Sequence, residues 1–374
     1  MIKAGSHLPS LIIKGRKIPV PIIQGGMGVG VSLSPLASAV AREGGVGIVS
    51  SACLDRLVSK RKGKRVATYD AAYEEVSLAK ASGGFTGINI MVALPRDYEA
   101  SVRGALDAGA DFIISGAGLP LQLPAIQSPR ETALIPIISS ARALELICKK
   151  WERLKYRPDA VVLEGPLAGG HLGFKIDQIE LDSNKLENLL PPVKDVAVKY
   201  GDIPVIVAGG IYTHADIRRF LAMGADGVQM GTRFLATEES SASPGYKQAV
   251  IDAGEEDIVV AHDPGSPCGF PFRVIRQSPM YLSALTKARP PKCNKGYVLQ
   301  KDEEGKYTRC PARYSNEHHF CICNGLLSSA GYNPKQEEPL FTVGANAFRV
   351  EKVLSVKSLM RELSGLDQVA PRHT

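Results

Sequence analysis

Ala168-Gly169-Gly170-His171-Leu172-Gly173 sets one imidazole among glycines. Histidine titrates near neutrality, so here it can serve as general acid or base. The glycines leave room for a flat ligand against the backbone. The plainer alternative is a histidine that caps a turn or binds a backbone carbonyl, and the flanking favours catalysis. A second pattern fills residues 203–234: apolar strand, Gly209-Gly210, amphipathic helix, apolar strand, Gly231-Thr232. Two parallel strands ending in glycines gather backbone N–H groups in one place, and such a cup binds phosphate. The alternative is a βαβ unit whose glycines only make tight turns.

Gln24-Gly25-Gly26-Met27-Gly28 closes another apolar run. Its backbone groups can hydrogen-bond the edge of a planar heterocycle, with Met27 packed beside it. A glycine-rich turn without a ligand is the competing reading. Asn89 is a polar residue in an otherwise apolar run, so it either binds a ligand or ties down a neighbouring strand. Ser115-Gly116-Ala117-Gly118 could form part of the same rim.

These residues sit at the ends of apolar runs, and the runs recur. Eight strands are expected at 20–24, 46–49, 87–92, 112–115, 135–139, 160–164, 205–208 and 227–230. Helical patterns lie between them at 34–43, 97–108, 141–150, 186–200 and 214–223. Strand and helix in alternation imply a parallel sheet, and eight units imply an α/β (β/α)8 TIM barrel. An open doubly wound sheet fits less well, because no early Gly-x-Gly-x-x-Gly with a following acid is present. In a barrel, the loops after the last two strands are the usual phosphate site. Periodicity weakens after residue 235. The expected organisation is a barrel over 1–235, a smaller inserted, partly helical domain over 236–340, and a C-terminal segment over 341–374 returning to the barrel.

Of 374 residues, 44% are hydrophobic and 22% charged, enough for a large core. The net charge is +7, and the one dense basic run is KRKGKR at 60–65. No aromatic interleaving or recognition helix accompanies it, so it reads as a solvated loop and nucleic acid is not expected. The start of the chain lacks a signal-peptide pattern, and no apolar run is long enough to span a membrane. The expected location is the cytoplasm. Seven cysteines do not suit a disulfide framework there. Five of them fall late: Cys268, Cys293, Cys310, Cys321 and Cys323, with His318 and His319 between. Cys293, Cys310, Cys321 and Cys323 are the candidate ligands of a structural zinc or iron–sulfur cluster. Their spacing matches no standard finger, and free thiols filling a small core are the other reading.

Several segments together resemble the nitronate monooxygenase family, also called 2-nitropropane dioxygenases, and the related flavin-dependent enoyl-acyl-carrier-protein reductase. They are PIIQGGMGVGVS at 21–32, GINIMVA at 87–93, EGPLAGGHLG at 164–173, PVIVAGGI at 204–211 and ADGVQMGTRFL at 225–235. SPCGFPFR at 266–273 and GANAFRVEKV at 344–353 also look like family segments. The resemblance implies a barrel holding FMN without a covalent link. Gly25, Gly26, Met27 and Gly28 would line the flavin ring, with Asn89 at its edge and Gly169 and Gly170 flanking it. Gly209, Gly210, Gly231 and Thr232 would hold the phosphate, and His171 would be the catalytic residue. Many relatives carry Glu-Ala before AGGH, whereas Pro166-Leu167 stands here, which touches the substrate more than the flavin.

The implied activity is oxidation of alkyl nitronates with O2. An NAD(P)H-dependent enoyl-thioester reductase is the first alternative, and a metal-containing redox or binding protein on a barrel scaffold the second. A phosphate-sugar isomerase or aldolase would share the cup but leave the QGGMG loop unexplained. The expected partners are a small-molecule substrate, O2 or NAD(P)H, and a second copy of the chain as a homodimer, with no membrane.

Overall fold

The computed structural model describes residues 8–266, 269–286, 321–332 and 337–366. A hairpin comes first, β1 (Leu11–Ile13) and β2 (Arg16–Ile18). There follow β3 (Ile22–Gln24), α1 (Ser34–Arg42), β4 (Val46–Ser50), α2 (Leu54–Lys62), α3 (Thr68–Lys80), β5 (Phe85–Met91) and α4 (Tyr98–Asp107). Next are β6 (Phe112–Gly116), α5 (Leu123–Ile126), β7 (Ala133–Ile138), α6 (Ala141–Glu152), β8 (Val161–Glu164), β9 (Gly170–His171) and α7 (Leu186–Lys199). Then come β10 (Val205–Ala208), α8 (His214–Ala222), β11 (Gly227–Met230), α9 (Thr232–Leu235) and α10 (Pro244–Asp252). The last elements are β12 (Ile258–Ala261), β13 (Phe272–Ile275), α11 (Pro279–Leu285), α12 (Ile322–Ser329) and α13 (Val356–Leu363).

Eight strands, β3 to β8 with β10 and β11, close a wholly parallel barrel in which sequence neighbours are spatial neighbours. All eight are the strands expected from the apolar runs, with ends shifted by a residue or two. Such strands are buried on both faces, so they read as continuous apolar runs. Alternate side chains divide between two cores. Ile23, Ile48, Ile114, Ile135, Val162 and Ile206 fill the interior. Ile22, Val49, Ile113, Leu163, Val205 and Val207 pack outward against the helices. The β1–β2 hairpin adds Leu11, Ile13 and Ile18 to the interior cluster, so it stoppers the end opposite the glycine loops.

The basic run is partly helical rather than a loop. Lys60, Arg61 and Lys62 form the last turn of α2, and Gly63 ends it with a φ of 65°. Arg61 lies 3.0 Å from Glu74 and 2.7 Å from Glu75 on α3, and Lys62 also pairs with Glu74. Much of this charge is therefore spent on helix pairing.

Past α9, the chain forms an antiparallel pair, β12 with β13, and β13 also pairs with β9. The two-residue β9 is thus tied to a strand about a hundred residues later. Val356, Leu359, Met360 and Leu363 of α13 join the outer barrel core, and the helix lies against α1 and α8. Among the described residues, no helix is long and apolar enough to cross a membrane.

Candidate active site

The inward positions of a barrel strand are two residues apart, so the last inward residue of each strand faces the open mouth. By this alternation Gly25, Ser50, Asn89, Gly116, Glu164, Ala208 and Gln229 ring the upper interior, above the Ile and Val layer. Where the lower layer is large and apolar, this ring is small or polar. A methyl on Gly26 would collide with Asn89, which places the first loop directly over Asn89.

The loop after β3 is held by its own bonds. Gln24 Nε2 donates to Ser32 Oγ at 2.8 Å, Ser32 Oγ donates to the Gly25 carbonyl at 3.1 Å, and Met27 N–H donates to Ser32 Oγ at 2.9 Å. Met27 leans over Gly231, its sulfur 3.5 Å from where a Cβ there would sit. The first loop and the glycine cup are therefore contiguous.

The cup has the predicted residues and one further wall. Gly209 and Gly210 have φ of 96° and 81°, a consecutive left-handed pair open only to glycine at low cost. Thr232 Oγ1 accepts from Gly344 N–H at 2.9 Å, and Asn346 Nδ2 donates to the Gly210 carbonyl at 2.6 Å. Ala345 N–H donates to the Leu167 carbonyl at 3.0 Å. A Cβ on Gly169 would lie 2.6 Å from the Val343 carbonyl carbon. Gly169, Gly209, Gly210, Gly231 and Thr232 thus come together around residues 343–346. The GANAFR segment carried a family likeness in the sequence, yet nothing there showed that it returns to the cup.

His171 stands in β9, its ring edge-on to Phe272 at 4.7 Å and 79°. Nε2 is 3.2 Å from the buried Ser266 Oγ, while Nδ1 has no partner among the described residues. One ring nitrogen is anchored and the other is without a partner among the described residues. Arg273, the neighbour of Phe272, is buried and donates from Nη1 to the carbonyls of Pro166, at 2.8 Å, and Ala168. Burial lowers its guanidinium to about 10.

Two rim residues were not singled out in the sequence. The Glu164 carboxyl is enclosed by protein, although the residue keeps some surface, and burial pushes it up to about 7. It has no hydrogen bond or ion pair with a described residue. Gln229 Oε1 is buried with no partner among the described residues. Asn89 makes no side-chain hydrogen bond to a described residue. Unpaired buried polar atoms are costly, and a site that gathers them fits a ligand that pairs them.

The cysteine cluster is only partly described. Cys268, Cys293 and Cys310, with His318 and His319, lie outside the described residues. Cys321 is buried and Cys323 half-buried in the first turn of α12. Among the described residues, no group of three or more His, Cys, Asp or Glu could hold a metal.

A closed parallel barrel with glycine loops after its last two strands and chemistry-bearing groups at the same rim has the layout of a barrel enzyme. The family model described as nitronate monooxygenase matches residues 10–365, and the chain belongs to that oxidoreductase family. A probable nitronate monooxygenase of Bacillus subtilis (strain 168) is 28% identical over 262 residues, 63% of this chain and 72% of that protein. A (3aS,4S,5R,7aS)-5-hydroxy-7a-methyl-1-oxo-octahydro-1H-indene-4-carboxyl-CoA dehydrogenase of Mycobacterium tuberculosis (strain ATCC 25618 / H37Rv) is 31% identical over 291 residues, 77% of this chain and 71% of that one. Among solved structures, FabK from Thermotoga maritima superposes with a TM-score of 0.66 at 25% identity, covering 92% of each chain.

Proposed function

We propose that this chain is an FMN-dependent oxidoreductase that oxidises alkyl nitronates with O2. The observation that carries the reading is His171, anchored through Nε2 on Ser266 and without a partner at Nδ1 among the described residues, at the same rim as the unpaired Gln229 Oε1. The residues fit FMN. Gly209, Gly210, Gly231 and Thr232, with Gly344 and Asn346 behind them, would hold the phosphate. Gly25, Gly26, Met27, Gly28 and Asn89 would line the ring, with Gly169 and Gly170 flanking it and Gln229 Oε1 open to a donor on it. When bound, the flavin supplies the redox chemistry.

The chain's own task is to bind and orient the anion. A nitronate already carries its negative charge, so no residue has to remove a carbon proton. An N–H at Nδ1 would hold that charge by a charge-assisted hydrogen bond. Phe272 and Ser266 fix the plane of the ring, so little orientation is lost on binding.

A second reading is favoured by one relative, whose name states action on a carboxyl-CoA. Leu167 and Phe270, 46% and 52% exposed, flank the Gly169–Gly170–His171 segment and offer apolar surface suited to an acyl chain. This reading is NAD(P)H-dependent reduction of an enoyl thioester. Oxygen uptake with propyl-2-nitronate, set against NADH oxidation with crotonyl-CoA, separates the two. Mass analysis of the released cofactor should give FMN. FAD, or no flavin after reconstitution, sinks both readings. His171→Ala should keep the flavin, whose contacts would be mainly backbone, and lose roughly a hundredfold or more in rate, the usual cost of removing one positioned donor to a charge.

A further inference from the structure

Two cysteines far apart in sequence meet where the rim touches the segment after the barrel. Cys53 ends the loop after β4 and precedes α2, with a φ of 55°. A non-glycine residue holds that left-handed conformation only where its surroundings enforce it. Its thiol is buried and faces that of Cys323 in α12. Both lie in one apolar cluster with Val29, Ala52, Leu94, Met280 and Leu327. Cys323 keeps some surface, whereas Cys53 is only 2% exposed. The sequence grouped Cys323 with the late cysteines as a metal ligand, but the fold gives it Cys53 as neighbour.

We propose that Cys53 and Cys323 form a reversible dithiol, which a hydroperoxide closes to a disulfide. The accessible Cys323 sulfur attacks H2O2. The O–O bond breaks, sulfur becomes a sulfenic acid and one water leaves. Cys53 sulfur then bonds Cys323 sulfur, its proton leaves with the hydroxyl as a second water, and the pair has lost two electrons. Cys53, almost wholly enclosed, suits a resolving rather than an attacking role. A disulfide sets its sulfurs about 2.05 Å apart, so the two side chains would draw together as it closes. The bond would fasten α12 to the loop beside Gly28, where a Cβ on Gly28 would lie 2.7 Å from Ala52 Cβ. This inference is independent of the substrate.

The test treats the full-length holoprotein with H2O2 and maps its peptides without reduction. The expected result is a Cys53–Cys323 linked peptide that dithiothreitol releases. It should be absent from Cys53→Ser and Cys323→Ser and present in Cys148→Ser. Mapping wild-type protein alone suffices if a serine variant does not fold. Cys323 found as sulfenic or sulfinic acid beside a free Cys53, or joined to Cys310 or Cys293, overturns the proposal. So does a Cys323 that peroxide leaves unmodified.

Discussion

At the scale of single residues, Glu164 sets a pH dependence. Its carboxyl would ionise near 4.5 in the unfolded chain, but burial pushes it up to about 7 in the fold. Between those values the native state holds the proton and the unfolded state does not. Stability from this group is therefore complete below about 4.5 and is lost as pH rises through about 7, a loss of roughly 3 kcal/mol. Apoprotein melted at pH 5 and pH 8 should show this fall. Glu164→Gln, which cannot ionise, should remove most of it and stabilise the fold at pH 8. Equal pH slopes in both proteins would show that a water or a moving side chain already pairs the carboxyl. Sequence reading passed over Glu164 because it ends an apolar run at a glycine turn, where a polar residue looks like an ordinary strand exit. Asn89 was legible because apolar residues follow it as well as precede it.

At the scale of elements, legibility followed apolar content. The barrel strands are short runs of Ile, Val and Leu, and each announced itself. The α2 and α3 helices were not foreseen. Only Leu54 and Val58 of α2 are buried, and α3 buries Ala71, Ala72 and Ala79 with the charged Glu75 and a single larger apolar residue, Val76, which together barely mark a face. The β9–β13 pairing was illegible because two residues carry no periodicity. That pairing has a consequence, since β13 supplies the buried Arg273 that clamps the Pro166 and Ala168 carbonyls under the AGGH turn. Arg273→Met strands both carbonyls and should cost about 2–3 kcal/mol of stability. If the clamp positions His171, turnover should drop more than tenfold at a temperature where the variant is still folded, and Arg273→Lys should recover part of it. A variant that melts earlier yet turns over normally would confine Arg273 to stability.

At the scale of the whole molecule, the cup is complete only when the C-terminal segment has returned to it. The glycines at 209–210 and 231 come from adjacent barrel strands, but the wall behind them is Gly344 to Asn346. Val343 and Val350 anchor that wall in a cluster with Tyr246, Val250 and Ile275, separate from both barrel cores. Cofactor binding should therefore couple the barrel to this outer cluster. The single tryptophan, Trp151, is buried in the outer barrel core and reports barrel unfolding. A ligand that binds only the native state raises stability by roughly 2.7 kcal/mol at a hundred times its Kd. FMN should accordingly raise the temperature at which Trp151 becomes exposed. Asn346→Ala removes one hydrogen bond to the Gly210 carbonyl, worth about 1 kcal/mol, or about fivefold in FMN affinity. The apo variant should melt close to the wild type, because the loop freed at Gly210 regains conformational entropy that offsets the lost bond, and FMN must then order that loop as it binds. The gain on adding FMN should shrink by that same 1 kcal/mol. An apo variant that is destabilised as much as the holo form would make Asn346 a structural tie, and the third wall would have no part in holding the phosphate.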